Sequence, residues 1–196
     1  MANKNNHIDN IVIAAQKLFF HDEYDSVSMS SIAKSANVTK AALYYHFKNK
    51  NDLYLFILNK NYSFFKEKIT ELFKTEEFRQ KNVRDKTGKI LAIVFDFFIL
   101  NKNSFLKIIS KRIGRHHKHF EKFFSQARED VIEIFKPLSE EIIKYKNITG
   151  KVDHRTVTLV LFSTLNPFIY EYVFQNNQKL DSKELIDKIC FLIFNK

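Results

Sequence analysis

The chain is poor in residues that break helices, with 3 glycines and 2 prolines among 196 residues. Short strands joined by tight turns need more of both, so this scarcity favours long helices. There is one cysteine, Cys190, so no internal disulfide can form, and a reducing cytosol is the expected compartment. Cys190 lies in an apolar run and reads as a small buried residue. No uncharged apolar run reaches the roughly 18 residues a membrane span needs. Residues 1–10 are polar and do not resemble a secretory signal, so no membrane partner is expected. Tryptophan is absent, but 21 phenylalanines and 8 tyrosines are present, and apolar residues make up 45% of the chain. That is enough for a sizeable core.

The formal net charge is +10. A basic balance points to an anionic partner, nucleic acid being the commonest. The excess is unevenly placed. Residues 1–60 hold 7 Lys+Arg and 5 Asp+Glu, residues 61–125 hold 15 and 7, and residues 126–196 hold 10 and 10.

Apolar spacing is helical almost throughout, with no internal repeat. Ile8, Ile11, Val12, Ala15, Leu18 and Phe19 form one stripe. After a polar break, Ser28 is placed to cap a short helix carrying Ile32, Ala33 and Ala36. Asn37 suits the left-handed turn after it. Thr39 caps a third helix, with Leu43 and Phe47 facing inward. A fourth starts near Asn51 or Asp52; its first turn packs on the N-terminal unit and its remainder leaves it. The polar stretch 75–88, ending in Gly88, reads as a loop with room for an extra helical turn. Ile90 to Leu100, apolar all round except for Asp96, reads as a helix buried on every side. Phe105, Leu106, Ile109 and Ile113 mark a short helix. Phe120 to Ile142 mark a long one, kinked at Pro137. After Thr149-Gly150, two more helices cover about Asp153 to Gln175 and Ser182 to Phe194. On the first of these, Val157, Val160, Leu161 and Phe168 form one apolar side. Leu159, Phe162, Ile169, Tyr172 and Val173 form the other. Two apolar faces need two partners, so a homodimer through the last two helices is expected, against a larger monomeric bundle.

The run from Ser28 to Phe47 has the dimensions of a helix-turn-helix, whose second helix lies in the major groove of double-stranded DNA. That helix exposes Lys40, Ala41, Ala42, Tyr44, Tyr45 and His46. Small residues let the backbone approach base edges, and alanine methyls suit thymine methyls. Tyrosine hydroxyls, His46 and Thr39 suit phosphate oxygens, and Lys48 and Lys50 add charge. With Ser28 at the head of the motif, these residues form the candidate DNA-binding set.

The segment Ile8 to Leu58 resembles the TetR family of repressors. The matching residues are Ala14-Ala15, Leu18-Phe19, Tyr24, Ile32-Ala33, Ala36, Val38-Thr39, the run Leu43-Tyr44-Tyr45-His46-Phe47, Lys50 and Leu53. By this resemblance Thr39, Tyr44, Tyr45, His46 and Lys50 contact phosphate, and Lys40, Ala41 and Ala42 face bases. Glu23, Asn37 and Ala41 stand where the family usually has glycine; Asn tolerates the same backbone conformation, and Ala41 leaves less room beside the bases. The resemblance also implies an effector pocket in the C-terminal half, with Phe95, Phe98, Ile109, Phe120, Phe124 and Phe168 as candidates. So many phenylalanines favour an apolar effector, one with an acidic head being the variant that suits nearby cations.

Lys111, Arg112, Arg115, His116, His117, Lys118 and His119 form a dense basic cluster. It reads as a solvated loop, an anion site or a metal site. The histidines lack i, i+4 spacing and have no cysteine partner, so a metal is the weakest of the three. Asp96, expected to be buried, needs a partner such as Arg112 or Arg115, or lines a pocket. A phosphoesterase built on the cluster lacks paired carboxylates, a nucleophile motif and a glycine-rich loop. No catalytic residue, metal or cofactor is expected.

The expected fold is all-α with about nine helices: a helix-turn-helix unit over residues 1–50 joined to an effector and dimerisation domain over 51–196. The expected function is a repressor released from a palindromic operator by a small effector. The alternative is a DNA-bound protein whose C-terminal half recruits another protein.

Overall fold

The computed structural model describes residues 3–22, 24–100, 117–174 and 181–195. Every regular element among them is a helix: α1 Asn3–His21, α2 Met29–Ser35, α3 Lys40–His46, α4 Lys50–Lys74, α5 Glu76–Arg79, α6 Val83–Leu100, α7 His117–Tyr145, α8 His154–Phe174 and α9 Ser182–Phe194. Among the described residues the class is all-α with nine helices, in line with the expectation; the short helix expected around Phe105, Leu106, Ile109 and Ile113 lies outside them. Two compact units are formed, one from Met1–Ser63 with Asn101–Phe124, the other from Phe64–Leu100 with Ser125–Lys196.

In the first unit α1 packs on α2, and α2 on α3. The stripe on α1 is real: Ile11, Val12, Ala15 and Phe19 are buried. α4 begins slightly earlier than expected, at Lys50, because the Asn49 side chain accepts the Asp52 backbone N–H at 2.9 Å and acts as the cap. More than its first turn belongs to this unit, since Leu53, Tyr54, Ile57, Leu58 and Tyr62 are all buried before the boundary at Ser63.

In the second unit α6 packs against α9 and α8. Two expectations fail here. Residues 75–88 are mostly helical: Thr75 caps the short α5, and α6 runs straight through Gly88. Polarity misled because one face of α6 meets solvent along its first turns. Ile90 to Leu100 is also not buried on every side. Ile90, Leu91, Val94 and Phe95 are buried, Phe97 and Phe98 only half so, and Asp96 is exposed. A carboxylate on such a helix therefore faces water and not the core. α9 lies beside Gly88, where an added β-carbon would meet Cys190 Sγ at 3.5 Å, an ordinary contact distance. Burial pushes the Cys190 thiol up from its ordinary pKa.

α7 and α8 end and begin on recognisable caps. Asn147 takes φ 54°, and the Asn147 and Ile148 N–H groups bond the Lys144 and Ile143 carbonyls, a Schellman turn. Asp153 accepts the Thr156 N–H. Pro137 and Pro167 both lie inside helices, on exposed positions. The two apolar sides of α8 are drawn differently from the expected grouping. Leu161, Leu165 and Ile169, spaced by four, are buried together, whereas Leu159 and Val160 are exposed. On α9, Phe191 and Leu192 are also exposed.

Polar groups inside this unit are paired. The Lys86 ammonium donates to both Glu141 oxygens, at 2.9 and 2.8 Å. Lys66 reaches Asp130 at 2.6 Å. Ser139 and Thr158 are fully buried, 2.8 Å apart. Thr158 gives its proton to the His154 carbonyl, which leaves Ser139 as the donor of the pair. Thr158→Val strips that donor of its acceptor and is expected to cost about 1–3 kcal/mol in urea unfolding; Ser139→Ala with Thr158→Val, which leaves no orphan, should recover most of the loss.

Candidate nucleic-acid interface

The helix-turn-helix is assembled from local hydrogen bonds. Ser28 accepts the Ser31 N–H at 3.0 Å while the Ser31 hydroxyl takes the Ser28 N–H at 3.1 Å, a reciprocal box that starts α2. α2 ends at Asn37, which takes φ 53°; the Asn37 and Val38 N–H groups return to the Lys34 and Ala33 carbonyls. This is the left-handed turn expected of Asn37. Thr39 then accepts the Ala42 N–H at 3.1 Å and starts α3. Leu43 and Phe47 are buried as expected, and Phe47 meets Phe56 of α4 edge-on at 5.4 Å.

With that face fixed, the opposite face of α3 is turned outward. Tyr44 and Tyr45 are 51% and 73% exposed. Lys40, Ala41 and Lys48 are exposed, while Ala42 and His46 are half-buried. The His46 ring stands edge-on to Tyr45 at 5.1 Å. Ser28 and Thr39 are exposed but have their side chains engaged as caps. Lys50 stands apart: its ammonium donates to the Tyr24 carbonyl at 2.6 Å and lies 4.2 Å from the Tyr24 ring centroid.

Tyr24 is the residue whose part the spacing did not reveal. Its ring stacks on Phe19 at 5.6 Å and meets Tyr54 and Phe120 edge-on, and its hydroxyl donates to Asn51. Burial, aided by the Asp25 carboxylate, holds its phenol above the ordinary tyrosine range. Burial draws the Lys50 ammonium down, and Asp25 opposes that. Ser31 and Asn49, the other working residues missed, do carry a signal: each is a side-chain acceptor or donor placed three residues from its partner.

The described effector candidates fall in both units. Phe95 is buried in the second unit, Phe98 is half-buried against Phe97, and Phe168 is half-buried. Phe120 is fully buried in the first unit's core, and Phe124 lies beside Phe123 in the same unit. Ile109, Arg112, Arg115 and His116 lie outside the described residues, as does the proposed pairing of Asp96 with either arginine. Asp96 instead lines an open groove of about 430 Å³ between α6 and α9, together with Arg84, Lys89, Lys183 and Cys190.

Residues 11–56 match the family model described as bacterial regulatory proteins, tetR family. The match identifies this N-terminal unit as a TetR-family one. Over 185 residues it is 24% identical to the fatty acid metabolism regulator protein of Bacillus subtilis (strain 168), covering 93% of this chain and 91% of that one. It is 37% identical over 78 residues to the HTH-type transcriptional regulator QacR of Staphylococcus aureus (strain Mu50), covering 40% of this chain and 39% of QacR. Among solved structures, FadR from Bacillus subtilis in complex with stearoyl-CoA shares the fold, with a TM-score of 0.74 at 21% identity over 95% of this chain and 97% of that chain. These relatives are named a metabolism regulator and transcriptional regulators, and this chain is a transcriptional regulator and not an enzyme. No described helix is long and apolar enough to cross a membrane.

Thr39→Ala removes the cap of α3 and is expected to lower unfolding free energy by about 1 kcal/mol. Thr39→Ser keeps the acceptor and should stay within a few tenths of wild type in the same urea titration.

Proposed function

We propose that this TetR-family regulator is a cytoplasmic homodimeric repressor released from a palindromic operator by a small apolar effector with an acidic head. The observation that carries the DNA-binding part is α3 itself. It is capped by Thr39, pinned by Leu43 and Phe47, and turns Lys40, Ala41, Tyr44 and Tyr45 to solvent. A short helix held on one face and open on the other fits the major groove. Ala41 and Ala42 face bases; Tyr44, Tyr45, His46 and Lys48 face phosphates; Ser28 and Thr39 lie at the helix starts beside the backbone. The first 60 residues carry a net charge of only +2, so affinity rests on placed contacts and on two copies acting together.

The exposed Leu159, Val160, Phe191 and Leu192 on α8 and α9 support a dimer through the last two helices, since apolar side chains of this size gain most when covered. The Phe-rich residues 51–196, the effector and dimerisation part in the proposed division of labour, support an apolar effector. The 24% identity to a fatty acid metabolism regulator over nearly the whole chain favours an acyl chain joined to an anionic head. Effector binding lowers DNA affinity by linkage between the two sites.

In mobility shifts on a duplex from the chain's own upstream region, Tyr44→Ala and Tyr45→Ala should each weaken binding about tenfold. Lys48→Gln should lower the salt slope by about one. Stearoyl-CoA should release the duplex while CoA alone does not. A wild type that ignores DNA at low salt sinks the reading. In sedimentation, Val160→Glu with Leu192→Glu should yield a monomer; an unchanged dimer places the interface elsewhere.

A further inference from the structure

Resting on the DNA-binding reading above, we propose that α7 is a second connector to the DNA-reading helices beside α4, and that Phe120 is the positioning residue through which it acts. α7 is one continuous helix of 29 residues. Its residues up to Phe124 belong to the first unit, and those from Ser125 onward to the second. α4 passes from one unit to the other in the same way, between Ser63 and Phe64. The two helices are tied together within each unit. In the first, the buried Tyr62 and Phe123 rings meet edge-on at 5.8 Å. In the second, the Lys66 ammonium reaches Asp130 at 2.6 Å, and Gln126 donates to the same carboxylate at 2.9 Å. Packed side chains on stiff helices are the means by which a shift in one region reaches another.

Phe120 stands in the first turn of α7 and is fully buried. Its ring meets Tyr54 edge-on at 5.6 Å and Tyr24 edge-on at 6.3 Å. Tyr54 belongs to α4, but Tyr24 lies in the turn between α1 and α2, four residues before Ser28, the cap that starts α2. That turn has no helical ladder of its own. Its place depends on what holds Tyr24, and Phe120 is one face of that hold. α2 leads through the Asn37 turn to α3. A shift of α7 along its axis therefore displaces Phe120, then Tyr24, then the start of α2 and the outward face of α3. α4 reaches the same two helices from the other end, because it begins just after α3. α2 and α3 are thus held once by each connector.

The test uses the full chain and a duplex selected from a random pool by the wild type. Affinity is measured across a salt series, stability by urea unfolding, and local opening by amide hydrogen exchange. In the wild type the duplex should slow exchange over residues 118–132, on both sides of Phe124. Phe120→Leu keeps apolar bulk and removes the ring. Without DNA it should exchange faster over 24–28. It should lose about tenfold in affinity and keep the wild-type slope of log affinity against log salt, since no phosphate contact is touched. Phe135→Leu is the control, because that ring is also buried on α7 but in the second unit. It should lower the urea midpoint as Phe120→Leu does and leave affinity and exchange over 24–28 unchanged. Unaltered exchange over 24–28 in Phe120→Leu overturns the proposal, as does an equal loss of affinity in Phe135→Leu or a duplex that leaves 118–132 unchanged in the wild type. If Phe120→Leu does not fold, Phe120→Met is put through the same measurements, and the wild-type exchange result decides without either variant. A wild type that selects no duplex sinks the DNA-binding reading, a result separate from exchange over 24–28 in the free protein.

Discussion

Burial of the Tyr24 ring is the constraint on which the first unit depends. Phe19 comes from α1, Tyr54 from α4 and Phe120 from α7, and all three meet that one ring. Phe19 also meets Tyr54 at 4.7 Å, and Tyr54 meets Phe120 at 5.6 Å, so the four aromatics close on one another. Such pairs contribute about 0.5–1.5 kcal/mol each beyond their area. Because Tyr24 lies in a turn, burying its side chain fixes backbone that no helix fixes. The Lys50 and Asn51 bonds then stop the buried ring from turning its ends to water. A DNA-reading helix that carries little net charge needs its contacts well placed, and this cluster supplies the placement.

The second unit is held differently. Its interior is largely apolar, and the polar groups within it come as matched pairs: Lys86 with Glu141, Ser139 with Thr158. Lys86 spreads its charge over both Glu141 oxygens, which offsets much of the cost of taking an ammonium from water. These pairs lie between segments far apart in sequence and so select which helix faces meet. Leu159, Val160, Phe191 and Leu192 on α8 and α9 are among the large apolar side chains that this unit leaves exposed, with Phe64 and Tyr145.

Much of this arrangement is legible in the sequence. Caps read well because they are local: Ser28, Asn37 and Thr39 each act within three residues, and so each has a fixed spacing. The α1 stripe and the anchors Leu43 and Phe47 follow from helical period alone. The misreadings share a cause. Gly88 and the polar residues before it read as a loop because composition cannot tell a solvated helix face from a turn. Asp96 reads as buried because apolar neighbours on either side do not say which face meets water. Leu161 and Ile169 read as different sides of α8, yet both are buried, on a helix that packs against α6. Apart from these misreadings, spacing gives the position of Lys50 on α4 but not the direction of its ammonium. That direction depends on Tyr24, 26 residues away.

Gly88 has one more consequence. A glycine inside a helix costs about 1 kcal/mol relative to alanine. The space beside it does not demand that cost, since an added methyl would meet Cys190 Sγ at 3.5 Å and Ile186 at 3.9 Å, ordinary contact distances. α6 therefore carries reserve stability that the chain leaves unused. That is the mark of a protein kept above a threshold of foldedness, with no selection for the maximum its own backbone would allow.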